Sequence, residues 1–227
     1  EKITDLLTAT ELQKIEKEIS RIIESKESFE YYENNVLIRI ENFMHLSQEL
    51  QDVLLSDKVI ELVTTYLGGD PVLFKDKLNF KKQGSRADLL HQDIQANWDT
   101  YGTQDFLSLG FPLDRCDIEN SCVWFLRRKL PTKLHRLSDK EEPLDIQDFD
   151  QNEFVPMEMN PGDISIHSAF APHYSQPQNS NRPRRIIFLT FNKRSCGDHR
   201  VDYYDDKLKT YPPNNRRNKG ETYEYKV

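Results

Sequence analysis

The sequence predicts an α+β fold, or a β-barrel supported by helices, because helical and strand-like patterns occupy different parts of the chain. Up to Gly69, apolar residues recur at the three- and four-residue spacing of amphipathic helices. After Gly69, the chain consists of short β-rich runs separated by polar or proline-containing turns. Helices followed by strands are typical of these two architectures.

The first predicted helix covers about residues 9–25. Thr8 is followed three residues later by Glu11, which is the pattern of a capping box at a helix N-terminus. An apolar stripe at helical spacing follows this cap and consists of Leu12, Ile15, Ile19, Ile22 and Ile23. The stripe predicts an amphipathic helix with one buried face.

A second helical region begins near Leu50 and continues to Leu67, where Gly68-Gly69 ends it. Its apolar residues again recur at helical spacing. We expect this second stripe to pack against a sheet.

Six short runs after Gly69 predict β-strands. They are Val72–Phe74, Lys77–Lys82, Leu107–Leu113, Ser121–Leu126, Asp163–His167 and Arg185–Phe191. The charged stretch 127–152 has no clear period, and we expect a long surface loop there that could serve as a lid. The tail 198–227 shows little apolar periodicity and is expected to wrap the core.

We expect a single domain over residues 1–227, because a chain of this length buries about 70% of its unfolded surface in one core. Apolar residues make up 37% of the chain and charged residues 30%. Twelve Phe, ten Tyr and two Trp nevertheless supply large core side chains, which argues against disorder. The expected parts are helical support over about 1–69, a β core over about 70–195 and a C-terminal wrap over 196–227.

Charge and cysteine usage narrow the class of partner. A net charge of −7 and a pI near 5.5 argue against non-specific nucleic-acid binding, which depends on a basic surface. Cys116, Cys122 and Cys196 form no CxxC pair, so we expect free thiols in a reducing compartment. The first residues lack the apolar core of a signal peptide, and no apolar stretch has membrane-spanning length. We therefore expect a soluble, cytoplasmic protein with a small-molecule partner and no membrane contact; the sequence gives no sign of its oligomeric state.

The strongest chemical signal is the tripeptide His91-Gln92-Asp93, which follows a predicted strand. Residues two apart on an extended backbone point to the same face, so this imidazole and carboxylate can converge on one cation. His173, eighty residues after Asp93 and again after a strand, supplies a third ligand. Two histidines and one carboxylate form the facial triad of non-haem iron(II) oxygenases, which leaves coordination positions open for 2-oxoglutarate and O2.

An HxD tripeptide alone is weak evidence, since such pairs also occur by chance on surfaces and in cores. The supporting signal is Arg184, which lies eleven residues after His173 at the start of the apolar run Arg185–Phe191. A guanidinium on this returning strand can bind the distal carboxylate of 2-oxoglutarate bidentately, which a lysine does less well.

Several motifs in this order and spacing resemble the phytanoyl-CoA dioxygenase family of iron and 2-oxoglutarate oxygenases. The matching segments are Asp76–Lys81, His91–Asp93, Glu119–Cys122, Pro161–Asp163, His173–Ser175 and Arg182–Arg185. The resemblance covers about residues 70–195. It implies a double-stranded β-helix, a jelly-roll of cupin-like form, in which the metal ligands and Arg184 lie on three of the strands.

Carried over by position, the resemblance makes Arg184 the anchor for the 2-oxoglutarate carboxylate and Ser175 a hydroxyl partner of the same group. Asn79 is a weaker candidate for contact with this co-substrate. Strand alternation should direct the neighbouring Arg185 away from the pocket. The alternation of Ile164 and Ile166 with Ser165 and His167 likewise places His167 on the face opposite the core, and not among the ligands.

For the substrate, residues 91–98 and the tail 203–213 resemble the branch of the family that includes 2-aminoethylphosphonate dioxygenase, although a Gly is usual where this chain has Asn97. Gln95, Trp98 and Tyr101 follow the metal strand closely enough to line the pocket mouth; a purely structural Trp98 in the core is an equal alternative. We expect hydroxylation of a small polar amino acid, amine or phosphonate-like metabolite.

A basic run stands out in this acidic protein and consists of Arg127, Arg128, Lys129, Lys133, His135 and Arg136. If it folds over the site, it could attract an anionic head group. The alternative is a solvated basic loop.

Two rival functions remain open at this point. One is a metal-binding β-helix module without catalysis, and the other is a zinc or manganese hydrolase, since a His2Asp site also suits those metals. The presence of Arg184 together with all three ligands favours the oxygenase, because a binding module has no use for a carboxylate anchor.

Overall fold

The structure is a computed structural model that describes residues 1–128, 144–218, 220 and 223. Its helices are α1 (Ala9–Ser25), α2 (Gln48–Leu54), α3 (Asp57–Leu67) and α4 (Arg200–Thr210). Its strands are β1 (Lys2–Ile3), β2 (Phe29–Glu33), β3 (Val36–Glu41), β4 (Pro71–Lys81), β5 (Asp88–His91), β6 (Phe106–Pro112), β7 (Val123–Leu126), β8 (Phe154–Met157), β9 (Ile164–Ser168), β10 (His173–Ser175) and β11 (Arg184–Lys193). Short 3-10 turns connect several of them.

The first helix begins and ends where its sequence pattern predicts. The Thr8 hydroxyl accepts the backbone N–H of Glu11 at 3.3 Å, and the Glu11 carboxylate accepts the Thr8 N–H at 2.8 Å. This reciprocal pair is the predicted capping box. Helix α1 buries Ile15, Ile19 and Ile22 completely or nearly so.

The second helical region is divided into α2 and α3 by a break at Leu55-Ser56. Gly68 ends α3 in the left-handed conformation with a φ of 72°, and its N–H donates to the Thr64 carbonyl at 2.9 Å. The helices cover the outer face of the large sheet, where the main apolar core includes Leu50, Val63 and Leu109.

Two antiparallel sheets form the body of the protein. The larger has seven strands in the order β1-β9-β6-β11-β4-β3-β2, and the smaller has four in the order β5-β10-β7-β8. This sheet-rich core with flanking helices is the double-stranded β-helix that the family resemblance implies. No described helix has both the length and the hydrophobicity to span a bilayer.

The N-terminal region over about 1–69, expected as helical support, also contributes strands to the large sheet. Strands β2 and β3 form a hairpin that extends the large sheet through pairing of β3 with β4. Asn34 and Asn35 make its turn, both with positive φ, which asparagine tolerates better than most residues. The flanking runs are strand-like in sequence, but their charged residues obscure the alternation.

Strand boundaries after Gly69 differ from the sequence pattern in a few places. The two runs expected at 72–82 form the single strand β4, and the tail contributes helix α4 through the buried Tyr203 and Tyr204. The short strands β5, β8 and β10 have three or four residues each, too few for periodicity to reveal them.

Candidate active site

The three sequence-predicted ligands converge at one end of the small sheet. His91 ends β5 and His173 begins β10, and antiparallel pairing places these two residues directly opposite each other. Asp93 begins the 3-10 turn that follows β5. One ligand atom from each residue lies within 4.8 Å of the others, and within the described chain no other group of three such side chains meets this criterion.

Hydrogen bonds to the backbone fix both imidazole rings. His91 Nδ1 lies 2.7 Å from the Leu89 carbonyl oxygen, and His173 Nδ1 lies 2.9 Å from that of Ala171. Each Nδ1–H donates to a carbonyl oxygen, which leaves Nε2 as the atom that can bind a metal.

The electrostatic environment keeps all three side chains in their metal-binding protonation state. Burial lowers the pKa of His91 and of His173 to about 4, so both rings are neutral near pH 7. Burial alone would raise the pKa of Asp93, but Lys77 at 3.6 Å and the hydrogen bond from His167 hold it well below its usual range. Two neutral imidazoles and one carboxylate fit iron(II).

His167 is buried in the site, although the sequence pattern gives it only as a residue on the face opposite the core and not a ligand. It does lie opposite Ile164 and Ile166, but that face lines the cavity. Its Nε2 is 3.3 Å from Asp93 Oδ2, and its ring centroid is 5.3 Å from that of His173. Strand β9 is buried on both faces, by the helices on one side and by the cavity on the other, which alternation alone cannot reveal.

The turn after His91 is held in place by two glutamine side chains. Gln95 Oε1 accepts the Gln92 backbone N–H at 2.7 Å, and Gln92 Nε2 donates to the Phe170 carbonyl at 2.8 Å. The turn ends at Asn97, whose φ of 62° lies in the left-handed region. A glycine would adopt this conformation more readily, and asparagine is among the few other residues that tolerate it.

A cavity of ≈ 220 Å³ surrounds the ligands. Five further residues assigned to the site from sequence line it: Asn79, Gln95, Trp98, Ser175 and Arg184. Tyr101 does not line it, so its expected place at the pocket mouth is wrong. Its ring packs 5.4 Å from that of Phe74, and its hydroxyl donates to Asp206 at 3.0 Å.

Arg184 is the first residue of β11 and is 1% exposed. Its Nη1 donates to the Ser121 carbonyl at 2.6 Å, and its Nε has no acceptor among the described residues. Ser175 lies beside it in the cavity wall, where its hydroxyl donates to Asp88 at 2.6 Å and accepts from Lys81 at 2.5 Å. A buried guanidinium and a hydroxyl thus share one end of the cavity.

A sequence model of the family described as phytanoyl-CoA dioxygenase (PhyH) matches residues 2–186. The chain belongs to this family. It is therefore an enzyme of the iron- and 2-oxoglutarate-dependent dioxygenase type, and its donor set fits that chemistry.

Several known proteins resemble the chain to different degrees. It is 30% identical to 2-aminoethylphosphonate dioxygenase from the uncultured bacterium HF130_AEPn_1, over 83% of this chain and 71% of that protein. It is 29% identical to methylphosphonate hydroxylase from Gimesia maris, over 76% of this chain and 65% of that protein. The crystal structure of EctD from S. alaskensis superposes with a TM-score of 0.73 at 16% identity, covering 86% of this chain and 73% of the other, which supports the fold.

The two arginines on either side of Arg184, Arg182 and Arg185, point away from the cavity. Arg185 forms ion pairs with Asp114 and Glu16, both at 2.7 Å, on the outer side of the sheet, as strand alternation predicts. Arg182 pairs with Asp117 at 2.7 Å near the surface. Of the three guanidinium groups, Arg184 alone lines the cavity.

Sequence reasoning missed four cationic side chains in this cavity wall: Arg39, Lys75, Lys77 and Arg86. A signal was present on β4, where Lys75, Lys77, Asn79 and Lys81 alternate and therefore share one face. Charged residues at this spacing usually indicate a solvated face, which explains why the pattern was not assigned to a site.

The basic run was the sequence candidate for attracting an anion, and its described part lies elsewhere. Arg128 pairs with Glu153 at 2.8 Å and packs 5.6 Å from the Phe149 ring, and neither it nor Arg127 lines the cavity. Lys129, Lys133, His135 and Arg136 lie outside the described residues.

Proposed function

We propose that the protein hydroxylates an unactivated C–H bond of a small polar acid that carries an amine, of the aminoalkylphosphonate or amino-acid class. The observation that carries this proposal is the meeting of His91, Asp93, His173 and Arg184 in the wall of one cavity. Such a wall suits a metal and a dicarboxylate together, which neither a zinc hydrolase nor a non-catalytic module requires.

One group of cavity residues would bind the metal, and another would bind the co-substrate. His91, Asp93 and His173 would hold iron(II), and Arg184 with Ser175 would bind the distal carboxylate of 2-oxoglutarate. Asn79 is a further candidate for contact with this co-substrate, since it lines the same cavity and accepts a hydrogen bond from Arg39 at 3.0 Å. With 2-oxoglutarate and O2, bound iron supplies the oxidation in which one oxygen atom enters the substrate C–H bond and the other enters succinate as CO2 leaves.

The size and position of the cavity favour a small substrate. Its volume of ≈ 220 Å³ is below the range of about 300–1,000 Å³ that is usual for drug-sized ligands. Gln95 and Trp98 lie on the turns directly after Asp93, where they can contact a substrate near the metal. The names of two relatives, which specify phosphonates, support the same class.

The test is anaerobic reconstitution with iron(II) and 2-oxoglutarate, followed by assay of succinate. A weak visible metal-to-ligand absorption band is expected, which a zinc hydrolase or a module without 2-oxoglutarate binding would lack. Small amines, amino acids and phosphonates should then stimulate succinate release. Stimulation by long-chain acyl-CoA or apolar terpenoids, and by no small zwitterion, would contradict the substrate class.

A further inference from the structure

Strand β4 crosses the cavity and presents a cationic or amide side chain at every second position from Lys75 to Lys81. Lys81 lies at the Arg184 end, 2.9 Å from Asp88, and Lys77 lies level with the metal ligands, 3.6 Å from Asp93. At a strand rise of about 3.3 Å per residue, Lys75 is about 7 Å beyond Lys77, on the side away from Lys81. The metal site therefore lies between two groups of cations.

The Lys75 end is deeply buried, and two of the residues that line it carry buried hydrogen-bond donors. Lys75 is 6% exposed, and its Nζ lies 5.4 Å from the Trp98 ring centroid and 5.3 Å from that of Tyr203. Gln95 and Trp98 line the same cavity and are 4% and 1% exposed. Gln95 Nε2 and Trp98 Nε1 have no acceptor within the part of the chain that the structure describes. Buried donors without acceptors are costly, and a ligand with several acceptor oxygens would satisfy them.

Several cationic side chains gather around one buried carboxylate at this end. Lys75 and Lys207 both contact the fully buried Glu41, Lys75 at 3.8 Å. Burial, with Lys75 and Arg39 nearby, holds the pKa of Lys207 well below its usual range, as expected for cations crowded around too few carboxylates. Asp93, the acidic partner of Lys77, belongs to the group that would hold iron, so a bound ion would take up part of its charge. Lys75 and Lys77 together would therefore balance a ligand with two negative charges.

We propose that Lys75, with the N–H donors of Gln95 and Trp98, forms a receptor for a doubly charged phosphonate group of the substrate. The proposal rests on the proposed function and narrows it from small acids to phosphonates. A tetrahedral group with three oxygens matches three separate donors, whereas a carboxylate has two oxygens and a single charge. Arg39 stands behind the receptor, bound to Glu41 at 3.4 Å and to Asn79, and adds to the positive potential.

The test compares four probes by calorimetry on protein loaded with iron(II) and 2-oxoglutarate in the absence of oxygen. 2-Aminoethylphosphonate, taurine and β-alanine share an aminoethyl group and differ in the charge and shape of the acid; methylphosphonate carries the head group alone. At mildly alkaline pH the aminoethylphosphonate should bind about 10-fold or more tightly than taurine or β-alanine, since a charge-assisted hydrogen bond contributes about 1.5–3 kcal/mol. Equal affinities, or binding of neither phosphonate, would overturn the receptor.

Two variants locate the receptor. Lys75→Met should weaken 2-aminoethylphosphonate binding about 10- to 100-fold and β-alanine binding by a smaller factor. Trp98→Phe removes the indole N–H and keeps most of the ring packing, so it should weaken phosphonate binding several-fold even if Lys75→Met does not fold. Lys193→Met is the matched control, because Lys193 pairs with Asp105 outside the cavity.

The outcomes separate the two proposals. Equal weakening of all four probes by Lys75→Met, or no effect of Trp98→Phe, would contradict the receptor while leaving the dioxygenase intact. Absence of the iron and 2-oxoglutarate absorption band would contradict the proposed function, whatever the phosphonate affinity.

Discussion

The two ends of the cavity along β4 differ in how their cations are held. At one end, Lys81 contacts both Asp88 and Ser175, and Arg184 is fixed to the Ser121 carbonyl. At the other end, the contacts of Lys75 within the described chain are a 3.8 Å ion pair with Glu41 and two aromatic neighbours. The first arrangement is organised in advance for one constant ligand, whereas the second leaves donors available for a ligand that arrives with each turnover.

The largest effect on activity is expected from removing one of the metal ligands, which lie between the two ends of the cavity. His173→Ala should abolish iron(II) binding and hydroxylation, because two protein ligands bind iron too weakly. Asp93→Gly keeps both imidazoles, so hydroxylation should be lost even if some iron is retained. Anaerobic iron titration and succinate assays measure both, with the exposed His45→Ala as control. Normal iron affinity in His173→Ala would contradict the assignment of His173 as the third ligand and favour His167 instead.

Glu41→Gln tests the charge balance at the Lys75 end. Removing the buried carboxylate leaves Lys75 and Lys207 facing each other, which should cost about 3–5 kcal/mol in the free energy of unfolding. The surface variant Glu33→Gln, whose carboxylate is paired with Arg86, should cost no more than about 0.5 kcal/mol. Chemical unfolding curves measure both, and equal costs would contradict a buried charge cluster.

The same variant has a pH signature. Lys207, Lys75 and Arg39 overcome the effect of burial and hold the pKa of Glu41 below its usual range. A carboxyl group whose pKa is lowered by folding adds stability above its unfolded pKa of about 4.3, and this stability is lost as the pH falls below that value. Glu41→Gln should therefore lose less stability than the wild type on acidification.

Arg184→Ala tests the end that is organised in advance. Truncating one partner of a buried charge pair costs roughly 2–5 kcal/mol, so the KM for 2-oxoglutarate should rise at least about 30-fold. Arg182→Ala and Arg185→Ala should change it much less, since their guanidinium groups pair outside the cavity. A larger effect of Arg185→Ala would mean that the wrong arginine is assigned as the anchor.

A smaller effect is expected at His167, whose Nε2 lies 3.3 Å from Asp93 Oδ2 and can orient this carboxylate. His167→Leu removes the hydrogen bond to the carboxylate and should lower iron(II) affinity about 10- to 100-fold. His167→Gln, which keeps a donor, should recover part of this loss. Unchanged iron affinity in the leucine variant would show that Asp93 needs no such support.

The smallest effect is expected from neutralising the outer basic residues. In Arg127→Gln with Arg128→Gln, the substrate KM should change no more than about twofold at any salt concentration, because Arg128 is already paired with Glu153 at the surface. A strong, salt-dependent rise in KM would indicate that Arg127 and Arg128 attract the anionic substrate, and would argue against Lys75 as its binding residue.

The sequence was informative where a pattern has one structural meaning. The capping box at Thr8 marks the start of α1, and the HxD spacing with His173 identifies the three side chains that converge in the structure and could hold a metal. The sequence was misleading where the interpretation of a strand pattern depends on which part of the fold packs against each face of the strand. Alternation shows that His167 lies opposite Ile166, but only the packed structure shows that both faces are buried.

The same limit applies to β4. Lys75 and Lys77 share a face with Asn79, which the sequence shows, but charged side chains at alternate positions ordinarily face water. Only the second sheet, which closes over this face, turns it into a cavity wall. Tyr101 illustrates the reverse error, since nearness in sequence to the metal strand did not place it in the cavity.

The direct pairing of His91 with His173 makes the metal a mechanical link between strands. Strand β5 is at the edge of the small sheet, and among the described strands it pairs with β10 alone. An ion held by both histidines would clamp this edge from the side chains, in addition to the backbone hydrogen bonds. Iron binding would then protect β5 from local unfolding. This edge of the cavity would be more rigid in the metal-bound protein than in the metal-free protein.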